Sequence, residues 1–386
     1  MAPSQARVGG ALQRDQMAAT FKYPFTRPVI PPAEAWTGFL KESYDRRYFT
    51  NFGPVEQRFG LEMQAQFGRP EETCVLCSNA TVGLTAALLA LEVRGPVVVP
   101  SFTFPASLHA IIAAQCEPVI CDVDPDSWEV SAATIRAAMD GRRPAAIMSV
   151  RPFGLVRDQG EIAELAAGWG VPLVIDAAAA LGIDRSGPGP VCDYVEVFSL
   201  HATKSFGIGE GGAMFAPARL KPALERALNF GLRPDRSFDY GLNGKMSEFQ
   251  AAVGLSVLGV YRDLVDGRRR MARAYADYVG GQRPLASAAD VLQSACSNFP
   301  VLMPRELDVA AFADHAASLG AQVRRYYWPS LAAGFHAGSG QASTPVSEDL
   351  SSRMVCLPLY ADAEEAETAE LIGIFDETGR AFGLWN

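Results

Sequence analysis

The stretch Val195-Glu196-Val197-Phe198-Ser199-Leu200-His201-Ala202-Thr203-Lys204-Ser205-Phe206-Gly207-Ile208-Gly209-Glu210-Gly211-Gly212-Ala213-Met214-Phe215-Ala216 decides how the chain is read. Val195–Leu200 is a short apolar run of strand type, and Ala213–Ala216 reads as another. Between them a glycine-rich turn carries Lys204, and glycine lets a backbone approach a ligand closely. An amine held there, with its charge disfavoured by burial, could form a Schiff base with a carbonyl cofactor. The other reading is a surface lysine beside a flexible loop. Gly207, Gly209 and Gly212 also match the spacing G-x-G-x-x-G. A strand follows them, however, where a dinucleotide fingerprint requires a helix, which argues against a nicotinamide site.

Upstream, short apolar runs alternate with helical patterns, the rhythm of a parallel sheet covered on both faces. Strands are predicted at Cys74–Cys77, Val97–Val99, Pro118–Cys121, Ala145–Val150 and Leu173–Asp176. Helices are predicted at Thr81–Glu92, Ala106–Ala114, Ala132–Met139 and Glu161–Trp169. A long helical region follows Met246, with Gly259 and Gly267 as expected weak points. Further on, Asn298–Met303 and Gln322–Arg325 read as strands, Val309–Leu319 as a helix, Gly334–Thr344 as loop, and Glu364 to Phe375 as a last helix. The expected fold is α/β: a large domain with a mostly parallel sheet flanked by helices, then a smaller α+β C-terminal domain. The expected organisation is a disordered extension over 1–22, a large domain over 23–265 with an N-terminal arm, and a small domain over 266–386.

Composition sets the limits. The 386 residues are 49% hydrophobic and 20% charged, enough for more than one core. A net charge of −9 and a pI near 5.1 argue against a nucleic-acid or anionic-membrane surface. The arginines Arg268, Arg269, Arg270 and Arg273 lie on a helical pattern and read as a solvated face. The seven cysteines are scattered, and Cys74 and Cys77 have no second pair or histidine at zinc spacing, so buried thiols in a reducing cytoplasm are expected and no metal. No apolar leader precedes Thr20, and the uncharged stretches Thr73–Leu91 and Gly95–Cys116 are broken by polar residues or proline, against a membrane span.

In open α/β sheets, ligands sit beyond the carboxyl ends of the strands. Asn79-Ala80-Thr81-Val82-Gly83-Leu84 joins a predicted strand to its helix, whose first N–H groups can receive a phosphate. Thr81 adds a hydroxyl, or simply caps the helix. Asp176 ends a strand before Ala177-Ala178-Ala179-Ala180; it suits a protonated ring nitrogen, or a cap. Phe104 follows another strand and could stack on a flat ring or join the core. Ser199 places a hydroxyl beside the lysine turn.

Together these segments resemble the DegT/DnrJ/EryC1/StrS family of pyridoxal phosphate (PLP)-dependent sugar aminotransferases, of fold type I. The likeness runs from about Pro31 to Tyr360. It also takes in Thr50-Asn51-Phe52-Gly53-Pro54, Pro100–Phe104, Asp122-Val123-Asp124 and Gly241-Leu242-Asn243-Gly244-Lys245-Met246-Ser247-Glu248-Phe249-Gln250. The resemblance implies that Lys204 carries PLP as a Schiff base and then acts as general acid/base, while Asp176 pairs with the ring nitrogen. It implies that Phe104 stacks on the ring, and that Thr81, the Val82 amide and Ser199 hold the phosphate. Asn243 would reach the phosphate of a neighbouring subunit, so a homodimer with shared sites is implied. The implied substrates are a nucleotide-linked keto sugar, foremost a 4-keto-6-deoxyhexose on dTDP or GDP, and glutamate or glutamine as amino donor. A 3-keto sugar, a cyclitol ketone, or a non-catalytic regulatory relative are the alternatives. His201, Arg324, Arg325, Tyr326 and Tyr327 are candidates for substrate contact.

The chain departs from the family pattern in four places. Ala179 stands where Gln or His often meets the ring oxygen, and Ser205 follows the lysine where Asn is frequent. Lys245 replaces an Arg, and Ala332 replaces a His after Tyr326-Tyr327-Trp328-Pro329. In one subgroup a histidine replaces the lysine and the enzymes are dehydratases; Lys204 argues against that chemistry.

Overall fold

The computed structural model describes residues 21–185, 189–280, 288–335 and 343–384. At its centre is a seven-stranded sheet. In chain order come α1 (Pro54–Phe67), β1 (Glu72–Cys77), α2 (Ala80–Ala90), β2 (Pro96–Pro100), α3 (Pro105–Ala113) and β3 (Glu117–Cys121). Then follow α4 (Ala132–Met139), β4 (Ala146–Val150), α5 (Gly160–Trp169), β5 (Leu173–Asp176), β6 (Tyr194–Ser199), β7 (Gly212–Pro217) and α6 (Lys221–Leu228). The strand order is β1-β7-β6-β5-β4-β2-β3. β6, β5, β4, β2 and β3 pair in parallel, and β7 runs antiparallel to both β6 and β1. Six strands therefore end at the same edge of the sheet.

Both faces of the sheet are covered. Cys74 and Leu76 join one apolar cluster while Val75 and Cys77 join another, and Val98 is separated in the same way from Val97 and Val99. This is the two-residue period of a strand with helices on both sides. Val97, Val98 and Val99 are fully buried, each contributing about 1.5–3 kcal/mol of hydrophobic stabilisation.

A third cluster is built by α7 (Glu248–Gly280), β8 (Phe299–Leu302), α8 (Val309–Ser318), α9 (Pro345–Arg353), β9 (Met354–Leu357) and α10 (Glu365–Ala381). Tyr23 and Phe25 from the N-terminal arm pack into it too. Asp122, at the end of β3, caps α9: its carboxylate accepts from Val346 N (3.0 Å), Ser347 N (2.8 Å) and Ser347 Oγ (2.7 Å). Ser101, just past β2, accepts from Leu331 N at 2.9 Å and Ala332 N at 3.1 Å. The two clusters of the sheet and the C-terminal cluster are thus tied together at the strand ends.

Several expectations need correcting. α7 runs 33 residues without a break at Gly259 or Gly267. At Gly267 a side chain would collide with the Ala361 carbonyl, so glycine there permits a close approach. Gln322–Arg325 is not a strand; only the single bridge between Arg324 and Cys356 forms. The last helix extends to Ala381. Arg268 is buried, donating to the carbonyls of Leu359 (3.0 Å) and Cys296 (3.4 Å), so the arginine cluster is not wholly solvated. Of the expected disordered extension all but Phe21 and Lys22 lie outside the described residues, and Lys22 pairs with Glu370. Of the loop Gly334–Thr344, residues 336–342 lie outside them too.

The segment Thr50–Gly53 is fixed from a distance. Asn51 and Phe52 both have positive φ (59° and 58°), leading into the N-terminus of α1. Glu248, the first residue of α7, accepts there from Val55 N and Glu56 N (2.9 Å each) and from Ser43 Oγ (2.7 Å). Glu56 beside it is buried, and burial with the nearby Glu248 charge pushes its carboxyl up from the ordinary 4.5 to about 8. The unfolded chain releases this proton first. Stability therefore falls as pH rises from about 4.5 to about 8, by at most about 1.4 kcal/mol per pH unit from this group. We expect Glu56→Gln to flatten that slope, making the variant more stable than the parent at pH 8 but not at pH 4.5. Urea denaturation at both pH values measures it; an equal effect at both rejects the assignment.

Candidate active site

Sheet register brings the predicted residues to one edge. Cys77, Gly212 and Ser199 are neighbours in one row, so the turn after β1 and the end of β6 stand side by side. Two rows away Val150 pairs with Asp176 and Asp176 with Val197. Past Ser199 the chain makes a closed turn: Leu200 N bonds Gly211 O at 2.9 Å, Ala202 N bonds Gly209 O at 2.8 Å, and Lys204 N bonds His201 O at 2.9 Å. Gly209 takes φ +99°, and at Gly207 a Cβ would lie 2.7 Å from the Ala202 carbonyl oxygen. The glycines are thus needed for the turn that presents Lys204.

Among the described residues no hydrogen bond or ion pair ties the Lys204 amine. Burial pulls its pKa below the ordinary lysine value, partly opposed by Asp176. Asp176 is 5% exposed; its Oδ2 accepts from Ser107 Oγ at 2.6 Å and its Oδ1 from Ala178 N at 3.1 Å. Burial raises the Asp176 pKa, while these two bonds and Lys204 lower it again. A buried amine with a lowered pKa and a buried carboxylate with a raised one therefore stand close enough to influence each other's charge.

The β1–α2 turn supplies an anion cradle. Asn79, not Thr81, caps α2: its Oδ1 accepts from Val82 N at 2.9 Å. The Val82 amide expected to hold phosphate is therefore already satisfied. The Ala80 and Thr81 amides have no acceptor among the described residues and remain open, with the Thr81 hydroxyl beside them. At Gly212 a Cβ would lie 2.7 Å from Cys77 Sγ and 2.9 Å from Ala80 N, so only glycine lets β7 pass under the turn. Ser199 Oγ accepts from His201 N at 3.2 Å and keeps its own proton to donate.

The remaining predicted residues divide. Phe104 is 54% exposed and lies perpendicular to Tyr326 (centroids 6.5 Å), so it is not a core residue. Tyr326 lies between Phe104 and Phe25. Tyr327 stacks its ring on Phe153 (5.0 Å), and its oxygen accepts from Phe153 N at 3.3 Å while keeping its own proton to donate. His201 is held in the turn, Nδ1 accepting from Thr203 N at 3.2 Å with Nε2 3.7 Å from Glu210. Arg324 lies over Phe25, and Arg325 over Trp328 at 4.2 Å. Asn243 is exposed, its Oδ1 accepting from Lys245 Nζ at 2.9 Å; the same amine bonds Asn229 Oδ1 at 2.8 Å. This clamp turns the Asn243 amide nitrogen outward. Ala179 offers only a methyl group. Sequence reading missed Ser107, Thr103 and the Lys245 clamp; the Thr103-x-x-x-Ser107 spacing across the start of α3 was the available signal for the first two.

The groups fit pyridoxal phosphate: open amides and hydroxyls at a helix N-terminus for phosphate, a carboxylate for the ring nitrogen, an amine for the aldehyde, and an exposed aromatic ring. A seven-stranded sheet of this order bearing such a site defines a PLP-dependent aminotransferase of fold type I. The chain matches the DegT/DnrJ/EryC1/StrS aminotransferase family over residues 34–375 and belongs to it. It is 29% identical to the dTDP-4-amino-4,6-dideoxy-D-glucose transaminase of Shigella dysenteriae, over 87% of this chain and 94% of that one. It is 31% identical to the UDP-N-acetyl-3-dehydro-alpha-D-glucosamine 3-aminotransferase of Acidithiobacillus ferrooxidans, over 78% and 83%. The structure of DesI with its TDP-sugar product superimposes with a TM-score of 0.85 at 26% identity, covering 95% of this chain and 96% of that one. These relatives make it a member of a sugar-nucleotide aminotransferase family.

Because Asp176 supports the charged form of Lys204, Asp176→Asn should lower the lysine pKa further. Mass-spectrometric acetylation rates across pH, in cofactor-free protein, should show the Lys204 peptide reacting at lower pH than surface lysines, and at lower pH still in the variant. An upward shift in Asp176→Asn contradicts the arrangement.

Proposed function

We propose that the protein transfers an amino group from glutamate or glutamine to the ketone of a nucleotide-linked sugar, foremost a 4-keto-6-deoxyhexose on dTDP or GDP. The observation that carries it is the pairing of the untied Lys204 amine with Asp176 at one sheet edge. Bound PLP supplies an aldehyde and an electron-withdrawing ring that stabilises a carbanion. Ala80 and Thr81 amides, the Thr81 hydroxyl and Ser199 hold its phosphate; Phe104 covers a ring face; Asp176 keeps the ring nitrogen protonated. Lys204, its pKa lowered by burial, takes a proton from the donor's Cα and returns one to the carbon of the acceptor. Substrate contact falls to His201, Arg324, Tyr326 and Tyr327, whose ring is held by Phe153.

A 3-keto sugar is the second reading, favoured by the 31% identity to a UDP-linked 3-ketosugar aminotransferase. A homodimer with shared sites is supported by the apolar residues exposed beside Asn243: Phe238 (74%), Tyr240 (51%), Phe230 (49%) and Leu232 (46%). Asn243, clamped by Lys245, then offers its amide nitrogen to the partner's phosphate. No helix among the described residues is long and apolar enough to cross a membrane, and all seven cysteines are free, which suits the cytoplasm. We place the domain division within α7, near residue 265.

Incubation with PLP, borohydride reduction and peptide mapping should label Lys204; labelling elsewhere, or none, rejects the site. A panel of 3- and 4-keto sugar nucleotides with glutamate or glutamine, read by product mass and NMR, identifies the ketone, and no product with any of them rejects the substrate class. Mixing inactive Lys204→Ala with inactive Asn243→Ala subunits should restore about a quarter of parental activity, because a mixed dimer holds one intact site. No recovery in demonstrated mixed dimers rejects the shared site.

A further inference from the structure

Asp176 does not stand alone at the end of β5. Ser107 Oγ, on the first turn of α3, donates to its Oδ2 at 2.6 Å, and Thr103 Oγ1 lies 3.0 Å from Ser107 Oγ. Ser107 is fully buried and Thr103 is 1% exposed, so water does not replace these bonds. A serine hydroxyl has one proton. If it goes to Asp176, the bond between the two hydroxyls must run from Thr103 to Ser107. The Thr103 O–H then points at Ser107 Oγ, and the Ser107 O–H at the carboxylate.

We propose that Ser107, oriented by Thr103, is a positioning residue that keeps Asp176 ionised and fixes the plane of its carboxylate. This rests on the reading of Asp176 as the partner of the cofactor's ring nitrogen. The other groups facing the carboxylate are the Ala178 N–H, the Lys204 amine from the β6–β7 turn, and the Tyr327 phenol from the C-terminal region. Of these only Ala178 donates a hydrogen bond to Asp176, and the Tyr327 oxygen is engaged by Phe153 N. Burial works against the charge, and the linked hydroxyls of Ser107 and Thr103 oppose that effect in a low-dielectric setting where each dipole acts strongly. Without them the proton shared with the ring nitrogen moves toward the carboxylate, and the ring loses part of its electron demand.

Two readouts test this. In cofactor-free protein, carbon-13 NMR of the Asp176 carboxyl should show its pKa higher by about one pH unit in Ser107→Ala, a tenfold change in ionisation. Thr103→Val should shift it the same way by less, and Ser107→Thr should restore it. Ser107→Cys fills the space with a weak donor and should behave like alanine; recovery with cysteine would make the effect packing and overturn the proposal. In PLP-loaded protein labelled with nitrogen-15 in the ring, the ring signal of Ser107→Ala should move toward the unprotonated position at a given pH. An unchanged titration and ring signal in variants that bind PLP stoichiometrically overturns it. Should Ser107→Ala not fold, Thr103→Val carries the same comparison. If the parent protein is not labelled at Lys204, the site reading fails instead, while the carboxyl titration still decides whether the hydroxyl pair governs Asp176.

Discussion

The parallel pairing of Leu173–Asp176 with Tyr194–Val197 is the constraint on which the site depends. It places Asp176 opposite Val197, two residues short of the point where β6 ends and the chain turns toward Lys204. A slip of one residue would turn the side chain of Asp176 to the opposite face of the sheet. Burial on both faces prevents that slip, since Val174 and Ile175 belong to opposite apolar clusters. The antiparallel β7 completes the arrangement, returning the chain past β1 so that Gly212 lies under the β1–α2 turn. Amine, carboxylate and anion cradle thus follow from one register.

Carboxylates hold the rest in relation to that edge. Glu248 caps α1 from the start of α7, and Asp122 caps α9 from the end of β3. Glu196 and Glu72 sit in a buried set with Arg151, Arg185 and Arg69. Burial alone would raise the Glu196 pKa, but Arg185 and Arg151 hold it below the ordinary range. Such charges are costly to desolvate, and their value lies in fixing one arrangement when each is paired. Glu56 and Glu129 differ, each buried without a bonded cation and shifted upward to about 8. The chain thus uses carboxylates in two ways: paired ones lock segments together, while Asp176 is kept free of a bonded cation.

Most of the sheet could be read from the chain because its strands are short, fully buried and separated by helices of ordinary length. Lys204, Asp176, Thr81 and Ser199 were legible for the same reason: each sits at a strand end or in the turn after one, and strand ends are visible in the pattern. What was misread depended on contacts remote in sequence. Gly267 does not weaken α7 because the Ala361 backbone packs against it. Gln322–Arg325 has the composition of a strand but finds only one bridge. Arg268 looks solvated until Leu359 and Cys296 cover it.

The sequence by itself determined the βα rhythm, the glycine turn and the amine within it, since these depend on local period and backbone freedom. Tertiary structure alone decided which donors remain open. Asn79 takes the Val82 amide and leaves those of Ala80 and Thr81; Lys245 turns the Asn243 amide outward; and Ser107 reaches Asp176 across 69 residues of chain. A hydrogen-bond donor's availability depends on what packs against it, and spacing along a chain does not reveal that.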